Sequence, residues 1–70
     1  MSTWPSTKAR KVLAALKSIG WRHDRQEGSH IILVRDGWAE YTWAFHEGVE
    51  IGPKMLSKIS KKTGLKPSDL

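Results

Sequence analysis

The sequence predicts an α+β fold in which two helices pack on one face of a three-stranded antiparallel sheet. Apolar residues recur at helical spacing near both ends of the 70-residue chain, and a continuous apolar run lies between them. Turn-forming glycines flank that run. The element order is therefore α-β-β-β-α, and a chain of this length forms one domain, residues 1–70, with a thin core.

The first helix is predicted to begin at a Ser6 or Thr7 cap, run to about Ile19 and end at Gly20. Apolar side chains recur on one face of this segment: Ala9, Val12, Leu13, Leu16 and Ile19. Basic side chains take the other face: Arg10, Lys11 and Lys17. This pattern is typical of an amphipathic helix that docks on a core.

The first two strands are predicted as a hairpin over residues 21–26 and 29–35, with Glu27 and Gly28 at the centre of a tight turn. The apolar run Ile31–Val34 indicates a central strand that is buried on both faces. A turn closed symmetrically around Glu27 and Gly28 places Arg25 directly across from the residue that opens the second strand, His30.

The third strand is predicted over residues 38–45, after a type I′ hairpin turn at Asp36-Gly37. Its aromatic side chains share one face: Tyr41, Trp43 and Phe45. Residues 46–52 are predicted to be a connecting loop.

The second helix is predicted to begin at Pro53, run to about Thr63 and end at Gly64. Its inner face is formed by Met55, Leu56, Ile59 and Thr63. Its outer face carries lysines: Lys54, Lys58, Lys61 and Lys62.

The charge pattern favours a polyanionic partner. The net charge is +5 and the sequence pI is about 9.9. Basic residues concentrate before residue 27 and after residue 50, whereas the middle of the chain is acidic. Two basic segments in one small domain favour phosphate backbones, although a lysine-rich helix face is more often simply solvated.

Several classes of protein are disfavoured. The chain has no cysteine, so it has neither disulfides nor a thiolate zinc site. Its histidines show no metal-ligand spacing with carboxylates, and we expect no cofactor. No apolar run approaches the length of a membrane span, so a soluble cytoplasmic protein is expected.

Nearly the whole chain resembles the HicA toxins, the ribonuclease partners of HicB antitoxins. The resemblance rests on "LKSIGW", "RQEGSHIILVR", a later histidine before a glycine-containing connection, and "LSKISKKTGLKPSDL". It implies a fold like that of a double-stranded-RNA-binding domain. Two positions depart from the family pattern: Ala44 stands where a proline is common, and Pro53 stands where Thr or Ser is common.

The resemblance implies that the protein is an mRNA interferase, a metal-independent endoribonuclease that a HicB-like antitoxin neutralises. It assigns catalysis to His30, within Gly28-Ser29-His30. Histidine suits this chemistry because its ordinary pKa, about 6.5, permits proton transfer near neutrality. The expected RNA contacts are Arg22, Arg25, Gly28, Ser29, Lys54 and Lys58.

Other interpretations remain open from the residues alone. His30 is otherwise a strand-edge histidine hydrogen-bonded to backbone, His23 an exposed strand residue, and His46 either a second proton-transfer group or a loop anchor. The tryptophans serve the core and its rim, or one or two of them stack on bases or contact the antitoxin. The alternative functions are a non-catalytic RNA-binding module and an inactive family member that only binds the antitoxin.

Overall fold

The computed structural model describes residues 4–70, and within them the chain forms two α-helices and five short strands. In chain order these are β1 (Thr7–Lys8), α1 (Ala9–Ser18), β2 (Arg22–Glu27), β3 (His30–Val34), β4 (Tyr41–Trp43), β5 (Glu50–Ile51) and α2 (Pro53–Thr63), followed by a 3₁₀ turn at Pro67–Asp69. The predicted α+β class and the order of its main elements are confirmed.

The main sheet is an antiparallel meander in the order β2-β3-β4, with β3 in the centre. The core lies between one face of this sheet and the two helices. Its fully or nearly fully buried members come from α1 (Ala9, Val12, Ala15, Leu16), from the sheet and its flanks (Trp21, Leu33, Trp43, Ile51) and from α2 and its end (Leu56, Ile59, Leu65). Both helices therefore pack on the same side, as predicted.

The helical faces agree with prediction except at their margins. Leu56, Ile59 and Thr63 of α2 are buried, whereas Met55 is 40% exposed. Met55 precedes Leu56 by one residue and is therefore turned from it by about 100° around the helix axis. Its assignment to the inner face was wrong.

A second sheet of two strands was not predicted. Thr7 pairs with Ile51 and Lys8 with Glu50, so β1 and β5 join the segments that precede the two helices. Because Thr7 takes part in this ladder, α1 begins one residue later, at an N-cap of Lys8 with no side-chain cap bond. The predicted Ser6 or Thr7 cap was wrong.

The β3–β4 connection is longer than predicted, and β4 is shorter. The Trp38 N–H donates to the Arg35 carbonyl oxygen (3.0 Å), which closes a turn with Gly37 at its third position. Asp36 has negative φ, so the turn is not type I′. The chain leaves the sheet here, and the Trp38 indole lies against Gly64 at the end of α2.

The tryptophans divide between core and surface. Trp21 and Trp43 are 1% and 2% exposed and belong to the core. Trp4 packs against the core from a partly buried position, and Trp38 is 42% exposed at the rim. The buried Trp21 Nε1–H donates to the carbonyl oxygen of Thr63 (3.0 Å), which fastens α2 to the start of β2.

Candidate nucleic-acid interface around His30

His30 is the first residue of β3 and is exposed. It follows the two turn residues, Gly28 and Ser29, and its backbone pairs with Glu27 of β2. Four residues with substantial burial continue β3 beyond it, and Leu33 among them is fully buried. The strand thus fixes the histidine backbone while the imidazole stays in solvent.

The His30 imidazole makes no hydrogen bond or ion pair with any residue between 4 and 70. The alternative of a strand-edge imidazole hydrogen-bonded to backbone is therefore not what the structure shows. The exposed His30 side chain is therefore accessible to a bound molecule.

The first hairpin has a different register from the predicted one. Its turn is centred on Gly28 and Ser29, so Glu27 lies opposite His30 and Arg25 lies opposite Ile32. The predicted pairing of Arg25 with His30 was wrong. Two-residue hairpin turns accept glycine at either central position, and here it takes the first.

A β-bulge then changes which residues of β2 share a face. The register shifts between His23 and Arg25, so Asp24 is the extra residue. Arg25 and Glu27 consequently lie on the face that carries His30 and Ile32, opposite the helices. We call this helix-free side the open face of the sheet.

Three carboxylates surround Arg25. Its guanidinium donates to Asp24 (Nη1 to Oδ2, 2.8 Å), Glu27 (Nε to Oε2, 3.0 Å) and Glu40 (Nη1 to Oε2, 3.3 Å). These bonds, to Glu40 first, hold the pKa of the Arg25 guanidinium above its usual value. We call these four residues the Arg25 cluster.

The Arg25 cluster was not predicted from the sequence. Asp24 and Glu27 are near neighbours of Arg25 in the chain, which is a usable signal, but Glu40 is 15 residues away. The contact of Glu40 with Arg25 depends on the β3–β4 connection and on the bulge. Neither feature produces a repeating pattern in the sequence from which it could be predicted.

The other expected RNA contacts lie in three places. Gly28 and Ser29 form the exposed turn beside His30. Arg22 is at the far end of β2, where it approaches Asp36 (Nη2 to Oδ1, 3.6 Å) in a solvent-exposed pair. Lys54 and Lys58 are exposed on the first two turns of α2, beside an open apolar groove that also contains Met55.

The remaining histidines are also exposed. His23 lies on β2, and His46 lies in the β4–β5 connection, where its backbone carbonyl accepts the Val49 N–H (3.1 Å). Among residues 4–70 no group of three or more His, Asp or Glu side chains is arranged to hold a metal ion. No helix in this range is long and apolar enough to cross a membrane.

This architecture defines a small α+β domain with a solvent-facing histidine at the tip of its first hairpin. A family model described as the HicA toxin of bacterial toxin–antitoxin systems matches residues 9–65, from the start of α1 to just beyond α2. The chain belongs to the HicA toxin family, and this membership implies an antitoxin as its partner. Neither the curated proteins nor the solved structures contain a significant match.

Proposed function

We propose that this chain is a metal-independent endoribonuclease that cleaves messenger RNA through His30 and is neutralised by a HicB-type antitoxin covering that residue. One observation carries the proposal. The family match spans the hairpin that contains Gly28-Ser29-His30, and the histidine of that tripeptide is exposed and positioned by a strand.

The proposed reaction requires proton transfer and charge stabilisation at a phosphodiester. One ring nitrogen of His30 accepts the proton of a ribose 2′-hydroxyl, whose oxygen attacks the adjacent phosphorus while the bond to the 5′-oxygen breaks. The leaving oxygen takes its proton from an imidazolium or from water. Exposed backbone N–H groups near Gly28 and the Ser29 hydroxyl are suitable donors to the phosphate oxygens.

The RNA backbone is proposed to contact exposed cations outside this turn. Lys54 and Lys58 have no ion-pair partner within the described residues, so their charges are available to phosphates. Arg22 has one weak, exposed partner in Asp36, which a phosphate is able to replace.

The decisive experiment compares His30→Ala with wild type in cleavage of naked RNA in EDTA and in growth arrest on expression. His23→Ala is the matched control because it removes an exposed histidine from the neighbouring strand. We expect His30→Ala to abolish both effects and His23→Ala to retain them. Cleavage by His30→Ala at the wild-type rate would falsify the catalytic assignment, and His46→Ala tests whether a second histidine takes part.

The second candidate is a non-catalytic RNA-binding module, which the unpaired lysines of α2 favour. In that case neither wild type nor His30→Ala cleaves RNA, and both bind it with a steep salt dependence. An inactive family member that binds only its antitoxin shows neither cleavage nor RNA binding.

A further inference from the structure

On the open face of the sheet next to His30, Arg25 is already hydrogen-bonded to carboxylates. Without the bulge at Asp24, β2 would alternate regularly from Arg22 and would place Arg25 on the helix side. The register shift instead turns Arg25 and Glu27 toward the open face, on the strand next to His30.

The contact between Arg25 and Glu40 spans the sheet. Arg25 belongs to β2 and Glu40 immediately precedes β4, so the pair (Nη1 to Oε2, 3.3 Å; Nη2 to Oε1, 3.5 Å) crosses the central strand β3. Ile32 lies beneath this crossing, in register with Arg25 and Thr42, and is only 6% exposed.

The charges in the Arg25 cluster do not balance. One guanidinium faces three carboxylates, so the cluster is net negative by two charges. The outer face of α2 differs, because Lys54, Lys58, Lys61 and Lys62 make no ion pair with described residues. A phosphate backbone is therefore repelled at the Arg25 cluster and attracted at α2.

We propose that Asp24, Glu27 and Glu40 mask Arg25 from RNA and turn the part of the open face around the Arg25 cluster into a surface that excludes phosphate, whereas Arg22, at the far end of β2, stays available to RNA. Arg25 is then a latent RNA contact, and RNA approaches His30 along the Gly28-Ser29 turn and not over the Arg25 cluster. This inference rests on the RNA-binding part of the proposed function and is independent of cleavage.

The test measures binding of a labelled single-stranded RNA whose 2′-hydroxyls are methylated, because such RNA keeps its phosphates but resists 2′-hydroxyl attack. The full chain is compared with Glu27→Gln/Glu40→Gln, which brings the cluster to neutrality. Glu47→Gln/Glu50→Gln is the matched control, because it removes the same charge from exposed residues that make no ion pair with the described part of the chain.

Unmasking adds about one phosphate contact. The logarithm of the RNA-binding constant falls by about 0.7 per phosphate contact for each tenfold rise in salt for single strands. Relative to about 1 M salt, RNA affinity is then expected to rise by up to about eightfold at about 50 mM and about threefold at about 200 mM. We expect this gain and the steeper slope in Glu27→Gln/Glu40→Gln but not in the control. Adding Arg25→Gln to the cluster variant removes the gain.

Each other outcome overturns a defined part of the reasoning. A gain no larger than that of the control, or one that survives Arg25→Gln, overturns masking. Absence of RNA binding by the wild type overturns both masking and the proposed RNA contacts. Binding by the wild type without cleavage of unmodified RNA overturns the nuclease alone, and masking is still decided by the comparison of variants.

Discussion

Replacing Gly64 with alanine tests how Trp38 closes the end of α2. Gly64 is the C-terminal cap of the helix, with φ +76° and ψ +10°, in the left-handed region. A Cβ atom built there lies 2.8 Å from Cη2 and 3.1 Å from Cζ2 of Trp38. The Trp38 indole must move to accommodate it, and with it the Arg35 guanidinium that lies 5.2 Å from the ring centre.

The expected cost has two parts. The left-handed conformation costs a residue with a Cβ about 1–2 kcal/mol, and overpacking of a filled site costs a further ~1–3 kcal/mol. Gly64→Ala is therefore expected to lose about 2–5 kcal/mol of the free energy of unfolding. For a domain whose free energy of unfolding is about 3–5 kcal/mol, this loss removes most of that free energy.

Gly37→Ala is the matched control. Gly37 has φ +84° at the third position of its turn, so alanine meets a similar backbone penalty, but a Cβ there has no atom within 4 Å. We expect it to lose only about 1–2 kcal/mol. Urea unfolding followed by tryptophan fluorescence measures both values, with sucrose added equally if the Gly64 variant is partly unfolded. Equal losses in the two variants would show that Trp38 does not hold the helix end.

Three further outcomes are expected. Burial raises the pKa of Tyr41, the sole tyrosine. Because the unfolded state loses the Tyr41 proton at a lower pH than the folded state, stability is expected to fall above about pH 10. A titration followed by absorbance at about 295 nm is expected to show a midpoint above the usual value of about 10. Thr63→Val leaves the buried Leu65 N–H without its 3.3 Å acceptor and is expected to cost ~1–3 kcal/mol in urea unfolding, whereas Thr63→Ser, which keeps the hydroxyl, is expected to cost clearly less. Leu56→Ala is expected to cost about 2–5 kcal/mol and Met55→Ala less than about 0.5, and similar costs would contradict the observed faces of α2.

Hydrophobic periodicity predicted the long elements because each buries one continuous face. The apolar stripe of α1, the run Ile31–Val34 and the cap at Gly64 all lie where the sequence indicated. The strands β1 and β5 were missed because a two-residue strand has no period to detect. Their pairing depends on tertiary structure that brings distant segments together.

The place of His30 at the start of a buried strand was predictable from the sequence, whereas its surroundings were not. His30 precedes a buried strand and follows a glycine-containing turn, and both features are visible in the sequence. The partner of His30 across the hairpin was misassigned because the turn is centred one residue later than predicted. The bulge at Asp24 and the approach of Glu40 to Arg25 are products of the folded sheet, so local sequence rules do not reach them.

The pairing of β1 with β5 has a consequence for the order of folding. The β2-β3-β4 meander forms from contacts that are close in the chain, whereas Thr7 and Ile51 meet only after the whole segment between them is closed into a loop. We expect the meander to form early in folding and the β1–β5 pair to form late. Since this pair joins the starts of both helices, its amide protons should exchange with solvent sooner than those of β3, and brief local openings should release both helix starts together.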